Sequence, residues 1–271
     1  MKEESLHALP TDREFLNFQK LILDKLGIFL PIQKKALLTN RWWKRLRECN
    51  FNSYAEYYKY ILSVDGRAEL DLALELITTN ETYFFREPKH FDYFTNVILP
   101  KFNSGSNLRV WSAAASTGEE PYSIAMVLED KCRASWELLC SDVNASVIEQ
   151  AKIGIYPDAR IRNIPEDYLH RFCRRGTGPQ EGFVRVGGNL REKVNFFTLN
   201  LHQPFPEMGK FDLVFLRNVL IYFENDTKAK VLERIANTLK PNGILFVGHS
   251  ESLHGVTDRF VPIKPAIYKL A

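Results

Sequence analysis

Leu108-Arg-Val-Trp-Ser-Ala-Ala-Ala-Ser-Thr-Gly-Glu-Glu-Pro-Tyr-Ser-Ile-Ala125 decides the fold. An apolar run ends in small residues and a single glycine, two acids follow, and a helix-like pattern begins. That order predicts a strand, a tight turn and a helix N-terminus, the entry to a nucleotide-type pocket in an open α/β sheet. The next apolar run, Trp136-Glu-Leu-Leu-Cys-Ser-Asp142, closes on an acid. An acid at the end of the second strand is where such sheets hold ribose hydroxyls. Together the two elements predict a pocket for an adenosine-bearing cofactor.

C-terminal to this stretch, Asn144 is placed to cap a helix over 145–152. The βα rhythm breaks from Tyr156 to Asn189, where Pro157, Pro165, Pro179 and a cluster of glycines surround the alternating piece Gly182-Phe-Val-Arg-Val186. That pattern predicts a small antiparallel insertion. Strands return at Val194–Leu199, Phe211–Leu216 and Ile244–Gly248, with a helix over about 226–239 and a final apolar piece at 266–270. Strands alternating with helices predict a doubly wound parallel sheet. On the N-terminal side a helical stretch is expected at 91–102. Before it, Phe15, Phe18, Leu21, Ile22 and Leu26 share one helical face, and Tyr54, Tyr57, Tyr58, Ile61 and Leu62 share another, with Ser53 as N-cap. Leu70, Leu72, Leu74, Leu76 and Ile77 form a further apolar segment. The expected domains are an all-helical one over 1–77 and an α/β one over 78–271, with the insertion at about 156–190.

With 271 residues, 45% of them hydrophobic, the chain can bury a core without staples. A net charge of +3 argues against a dedicated nucleic-acid binder. The start, Met1 to His7, lacks an apolar signal core, and no run is long enough to span a bilayer, so a cytoplasmic protein is expected. Cys49, Cys132, Cys140 and Cys173 are scattered, which reads as free thiols and no metal cluster.

The loop Ala113-Ala-Ala-Ser-Thr-Gly118 lacks the GxGxxG pattern that lets backbone approach a pyrophosphate. S-adenosylmethionine carries no phosphate, and Glu119 and Glu120 would repel one while suiting the ammonium of a methionine moiety. Helix-dipole compensation accounts for one of these acids more readily than for both. S-adenosylmethionine is therefore favoured over NAD. Arg217 and Asn218 follow the strand that ends at Leu216, at the edge where open sheets hold ligands.

Four stretches, in order, resemble the CheR family of chemotaxis receptor methyltransferases: Thr78-Thr-Asn-Glu-Thr-Tyr-Phe-Phe-Arg86, Arg109 to Ser123, Leu216-Arg-Asn-Val-Leu-Ile-Tyr-Phe223 and Gly248-His-Ser-Glu-Ser252. The resemblance spans nearly the whole chain. It implies a Rossmann-like methyltransferase that esterifies glutamate side chains of chemoreceptors with S-adenosylmethionine, leaving S-adenosylhomocysteine and using no metal. It implies cofactor contacts at Asn80, Thr82, Arg86, Glu120 (with Glu119 as the alternative), Asp142, Asn200, Leu201, Leu216 and Arg217. Arg86 and Tyr222 resemble the residues that orient the reacting groups. The insertion resembles the family's β-subdomain, which in some members docks a receptor C-terminal peptide, here near Arg175, Gly178 and Gly182. A monomer is expected. Glu81 and Leu216 depart from commoner residues of the family.

The chemistry suits this set. Methyl transfer from a sulfonium is an in-line displacement, and a glutamate is already ionised near neutral pH, so no general base is required. A guanidinium such as Arg86 can hold a carboxylate by paired hydrogen bonds, and a tyrosine such as Tyr222 can offer its ring face to a sulfonium. By the residues alone Arg86 reads as a solvated arginine and Tyr222 as a core aromatic; the resemblance assigns them roles. Lys34, Lys35, Arg41, Lys44, Arg45 and Arg47 form a run without acids, read either as a solvated face or as a docking face for an acidic receptor helix, with Trp42 and Trp43 as core or anchor. The competing readings are a methyltransferase for small molecules or nucleic acid and a non-catalytic receptor adaptor. Arg217-Asn-Val-Leu220 in place of an Asn-Pro-Pro type loop speaks against nucleic-acid amino methylation.

Overall fold

The computed structural model describes residues 9–271, so the Met1 to His7 stretch read above lies outside the described residues. The chain divides into two units, one comprising the residues up to Thr79 together with Tyr222–Glu224, the other Asn80–Ile221 and Asn225–Ala271.

The first unit contains helices α1 (Asp12–Leu26), α2 (Lys35–Glu48), α3 (Tyr54–Ile61) and α4 (Arg67–Ile77). Thr11 and Glu14 form a capping box that starts α1, and Gly27 ends it in the left-handed conformation. The Ser53 side chain accepts from Glu56 N and starts α3. The apolar face of α1 is buried as its spacing requires: Phe15, Phe18, Leu21, Ile22 and Leu26 are all out of solvent. Trp42 is fully buried core, edge-on to Phe18 and donating from Nε1 to Ala73 O at 2.8 Å. In α4 the apolar segment does not form one buried face. Leu72 and Leu76 are exposed and Ala73 and Ile77 are buried, because leucines spaced by two spread around a helix of 3.6 residues per turn. Phe29 N donates to Tyr222 O at 3.1 Å and Ile28 bridges Phe223, which joins Tyr222–Glu224 to this unit.

The second unit opens with α5 (Pro88–Tyr93). The helical stretch expected at 91–102 therefore starts earlier, and it breaks into a π-turn at Phe94–Ile98 and a 3-10 turn at Leu99–Lys101, where Pro100 lacks the N–H a regular helix needs. There follow β1 (Asn107–Ser112), α6 (Glu119–Lys131), β2 (Ser135–Asp142), α7 (Ala145–Ile153), β3 (Ile155–Pro157), α8 (Glu166–Phe172), β4 (Cys173–Arg175), β5 (Phe183–Val186), α9 (Gly188–Arg191), β6 (Val194–Thr198), β7 (Phe211–Leu216), α10 (Asn225–Thr238), β8 (Leu239–Val247), β9 (Phe260–Lys264) and β10 (Ile267–Leu270). The main sheet has the order β6-β2-β1-β7-β8-β10-β9, and a small antiparallel sheet has the order β3-β5-β4.

Helices alternate with the main-sheet strands as a Rossmann-like methyltransferase sheet requires, but the sheet is mixed rather than parallel. β10 runs antiparallel to both β8 and β9. The chain reverses within two residues, Pro265 and Ala266, the latter at φ +61, and a reversal that short can only join antiparallel strands. Val110, Leu138, Leu213, Phe215 and Phe246 are buried on strands and pack with Ile124, Met126 and Leu128 of α6. The rings of Phe215 and Phe246 stack at 4.4 Å. All four cysteines are free thiols.

Candidate functional site

The first βα turn is shaped by two left-handed residues. Ser116 sits at φ +47 and Gly118 at φ +95. A Cβ on Gly118 would lie 2.8 Å from the Tyr156 hydroxyl, so the position needs glycine for both space and backbone angle. The turn is tied to its surroundings. Ser116 N donates to Asp142 Oδ2 at 2.9 Å, and Ser116 Oγ donates to Asn80 O at 3.3 Å. Asp142 Oδ1 accepts from Asn144 N at 3.0 Å, while Asn144 itself caps α7. Burial pushes the Asp142 carboxyl up, and these backbone N–H groups oppose the shift. Each carboxylate oxygen keeps lone-pair capacity for a hydroxyl donor, which is the fit a ribose diol requires.

The two acids at the start of α6 have different surroundings. Glu119 is fully buried; Thr117 Oγ1 donates to its Oε2 at 2.7 Å and Arg160 pairs with it from the β3–α8 connection. Burial raises the Glu119 carboxyl, opposed by Thr117 and Arg160. Tyr156 Oη donates to Thr117 O at 2.7 Å, so the small-sheet segment holds the first βα turn directly. Glu120 accepts from Ser112 Oγ at 2.8 Å and from Arg217 Nη1 at 2.7 Å.

Arg217, immediately after β7, is buried. Its guanidinium is buried and bridges two carboxylates, Glu120 and Glu87, the latter at 2.9 Å, and also donates to Arg86 O at 2.6 Å. Around it, Asn218 takes φ +57, and the buried Glu251 carboxylate accepts from Asn218 N at 2.8 Å and Gly248 N at 2.6 Å. Burial pushes the Glu251 carboxyl up against those bonds. A Cβ at Gly248 would come within 2.4 Å of the Asn218 side-chain amide and 2.9 Å of Glu251 Oε2, so a larger residue there would have to displace these side chains.

Of the residues expected at the site, Asn80, Thr82, Arg86, Glu120, Asp142, Asn200, Leu201, Leu216 and Arg217 all fall in the second unit. Tyr222 groups with the helical unit. Arg86 is half-buried, donates to Glu81 O at 2.7 Å and lies 5.6 Å from the Tyr83 ring centre. Asn200 Oδ1 accepts from His202 N at 2.9 Å, and Leu201 is buried with its carbonyl accepting from Arg234. Sequence reading missed Glu87, His90, Arg160 and Glu251. His249 and Glu251 sat inside a recognised motif and Glu87 beside one, but no role attached to them.

The basic run on α2 is not a free face. Arg41 donates to the last carbonyls of α4 at Leu76 and Ile77 and to the Thr78 carbonyl that follows, and Arg45 pairs with the buried Glu69 and with Glu48. Lys35 pairs with Asp12. Lys34, Lys44 and Arg47 remain exposed.

Comparison with known proteins gives the chain's relatives. The family described as "CheR methyltransferase, SAM binding domain" matches residues 80–268, and "CheR methyltransferase, all-alpha domain" matches residues 13–78. A chemotaxis protein methyltransferase of Escherichia coli (strain K12) is 39% identical over 265 residues, covering 96% of this chain and 92% of that protein. One from Borreliella burgdorferi is 36% identical, covering 96% of this chain and 94% of its own.

Proposed function

The chain belongs to the CheR family of S-adenosylmethionine-dependent methyltransferases, and on that footing we propose that it esterifies glutamate side chains of chemoreceptors. The observation that carries the reading is a convergence at the carboxyl ends of β1, β2 and β7. There Asn80 and Asp142 are joined through Ser116, and Arg86, Glu120 and Arg217 are joined through one guanidinium.

S-adenosylmethionine supplies an electrophilic methyl on a sulfonium. Asp142 receives the ribose hydroxyls, and Asn200 and Leu201 border the adenine. Glu120 rather than Glu119 meets the methionine ammonium, because Glu119 is fully buried against Thr117 and Arg160. Asn80, Thr82, Leu216 and the Arg217 backbone complete the binding surface. Arg86 orients the acceptor carboxylate, and Tyr222 is carried over from the family motif as a second orienting residue. The acceptor is already anionic near neutral pH, so the protein's task is alignment and exclusion of water. No metal is called for.

The helical part, 1–77, would meet the receptor, while 78–271 binds cofactor. In the 156–190 insertion, β3 and β4 are the edge strands. An extended receptor tail adding to such an edge near Arg175, Gly178 and Gly182 would suit it. The enzyme is expected to act as a monomer in the cytoplasm.

Incubation with methyl-labelled S-adenosylmethionine and receptor-bearing membranes tests the proposal. Base-labile label on the receptor is the expected result. Label on other substrates, or none, overturns it. Tyr222→Phe should keep cofactor binding and slow transfer; unchanged turnover removes Tyr222 from the reaction.

A further inference from the structure

Glu87 belongs to none of the cofactor or acceptor contacts above. We propose that Glu87 is a positioning residue, the anchor that holds the Phe85–Glu87 turn so that Arg86 faces the acceptor. The inference rests on the reading of Arg86 as the group that orients the acceptor carboxylate.

The backbone on both sides of Arg86 is strained. Phe85 takes φ +54 and Glu87 φ +58. Left-handed conformations are unfavourable for a non-glycine residue, and they persist only where the surroundings over-determine them. The surroundings here centre on the Glu87 carboxylate. Oε2 accepts from Arg217 Nη2 at 2.9 Å, and Oε1 accepts from His249 N at 3.1 Å and from the Asn218 amide at 3.3 Å. The same Nη2 donates to Arg86 O at 2.6 Å, and Ser123 Oγ accepts from Phe85 N at 2.9 Å. The carboxylate ties the turn directly to the ends of β7 and β8, and Arg217 joins both it and the Arg86 carbonyl to Glu120 on α6.

The electrostatics agree with an anchor. Burial alone would raise the Glu87 carboxyl, but Arg217 and the His249 and Asn218 donors bring it down to about 2. His90 stands behind it, with Nδ1 3.3 Å from Oε2 and both ring nitrogens buried without a hydrogen-bond partner. Glu87, His90 and His249 bring one ligand atom each within 4.8 Å of one another. A cation between them would face Arg217, which already holds the same Oε2. The Glu87 charge is already balanced by that guanidinium, which agrees with an anchor.

Loss of the Glu87 charge leaves Arg217 paired with Glu120. Glu87→Gln therefore strands no buried guanidinium, but its amide NH2 must meet a donor, either Arg217 or the His249 and Asn218 pair. The turn should loosen while the pocket survives. Misplacing a reacting group by an ångström costs on the order of 100-fold in rate, so a partial loosening should cost about 10-fold.

The test is a double-variant cycle of Glu87→Gln and Arg86→Ala, with Glu87→Asp as a variant that keeps the charge and shortens the reach. Measurements are kcat and KM on intact receptor and the Kd for S-adenosylhomocysteine. Glu87→Gln is expected to lower kcat about 10-fold with Kd within about 3-fold, and Glu87→Asp to lower it severalfold. In the Arg86→Ala background Glu87→Gln should cost little more, because the group it positions is gone. Wild-type kcat in both Glu87 variants, losses that multiply in the double variant, or a Kd that rises in step with the fall in kcat would each overturn the inference. Arg86→Ala at wild-type kcat would instead strike the reading of Arg86, a distinguishable result.

Discussion

Each unit contains a buried glutamate held by an arginine, and the two are built differently. In the helical unit Glu69 accepts from Arg45 Nε at 2.9 Å and from Tyr57 Oη at 2.8 Å, joining α2, α3 and α4. In the sheet unit Glu87 and Glu120 share Arg217 where strands end and loops begin. Arg45 keeps 24% of its side-chain exposure and a second partner in Glu48, whereas Arg217 keeps 1%. Glu69 sits within a regular helix, while Glu87 and Asn218 both carry positive φ. The same ion pair therefore serves helix packing in one place and loop geometry in the other.

Arg217→Met should have the largest effect, because it leaves the buried Glu120 carboxylate and the partly buried Glu87 carboxylate without their cation. Removing one partner of a buried pair costs about 3–5 kcal/mol, and S-adenosylhomocysteine binding should be lost with it. Arg45→Met should cost about 1–2 kcal/mol, since its site is partly wet and Tyr57 still donates to Glu69. Denaturant midpoints at equal slope measure both. A larger loss for Arg45→Met would break the contrast.

Glu69 sharpens the contrast further. Burial would raise its carboxyl, but the Arg45 and Tyr57 hydrogen bonds outweigh it and hold the group below its usual 4.5. A depressed carboxyl contributes stability above the unfolded value and loses it as pH falls through the folded one. Wild type should lose stability on acidification below about pH 4.5 more steeply than Glu69→Gln, with kcat at pH 7 alike in the two. Equal acid limbs would show that Glu69 contributes nothing through its charge.

The parts legible in sequence share one property: their signal is local. Phe15, Phe18 and Ile22 announce a helix because burying one face demands that spacing. Asp142 is legible because it closes an apolar run directly after a turn of small residues. The anchor around Arg86 has no local signal. Glu87 meets Arg217, Asn218 and His249 across separations of 130, 131 and 162 residues, and a pattern of single residues does not record such pairing. Its left-handed backbone is likewise imposed by those distant partners and not by the identity of Glu87. The hairpin of β9 and β10 was hidden for another reason. β9 buries Phe260 and exposes the four residues after it, as an edge strand does, so it lacks the apolar run by which strands are found. The basic run of α2 misled in the opposite direction, since helical spacing turns Arg41 and Arg45 towards α4 while composition counts them as surface.

The smallest effect should come from the charges that remain outside. Lys34, Lys44 and Arg47 are the exposed members of that run, with Arg47 lying 5.6 Å from the Trp43 ring centre. If an acidic receptor helix approaches this face, their attraction is long-range and screened, with a Debye length of about 10 Å at 0.1 M salt. Reversing all three to glutamate should raise the receptor KM about 3- to 10-fold at low salt, leave kcat unchanged, lower thermal stability only slightly through the lost Lys44–Glu48 pair, and lose its effect on KM near 0.5 M salt. Reversing Arg41 and Arg45 instead should unfold the helical unit, because their partners are α4 carbonyls and Glu69. An unchanged KM in the triple variant at low salt would assign the exposed cations to solvent and leave the helical unit with no electrostatic part in receptor capture.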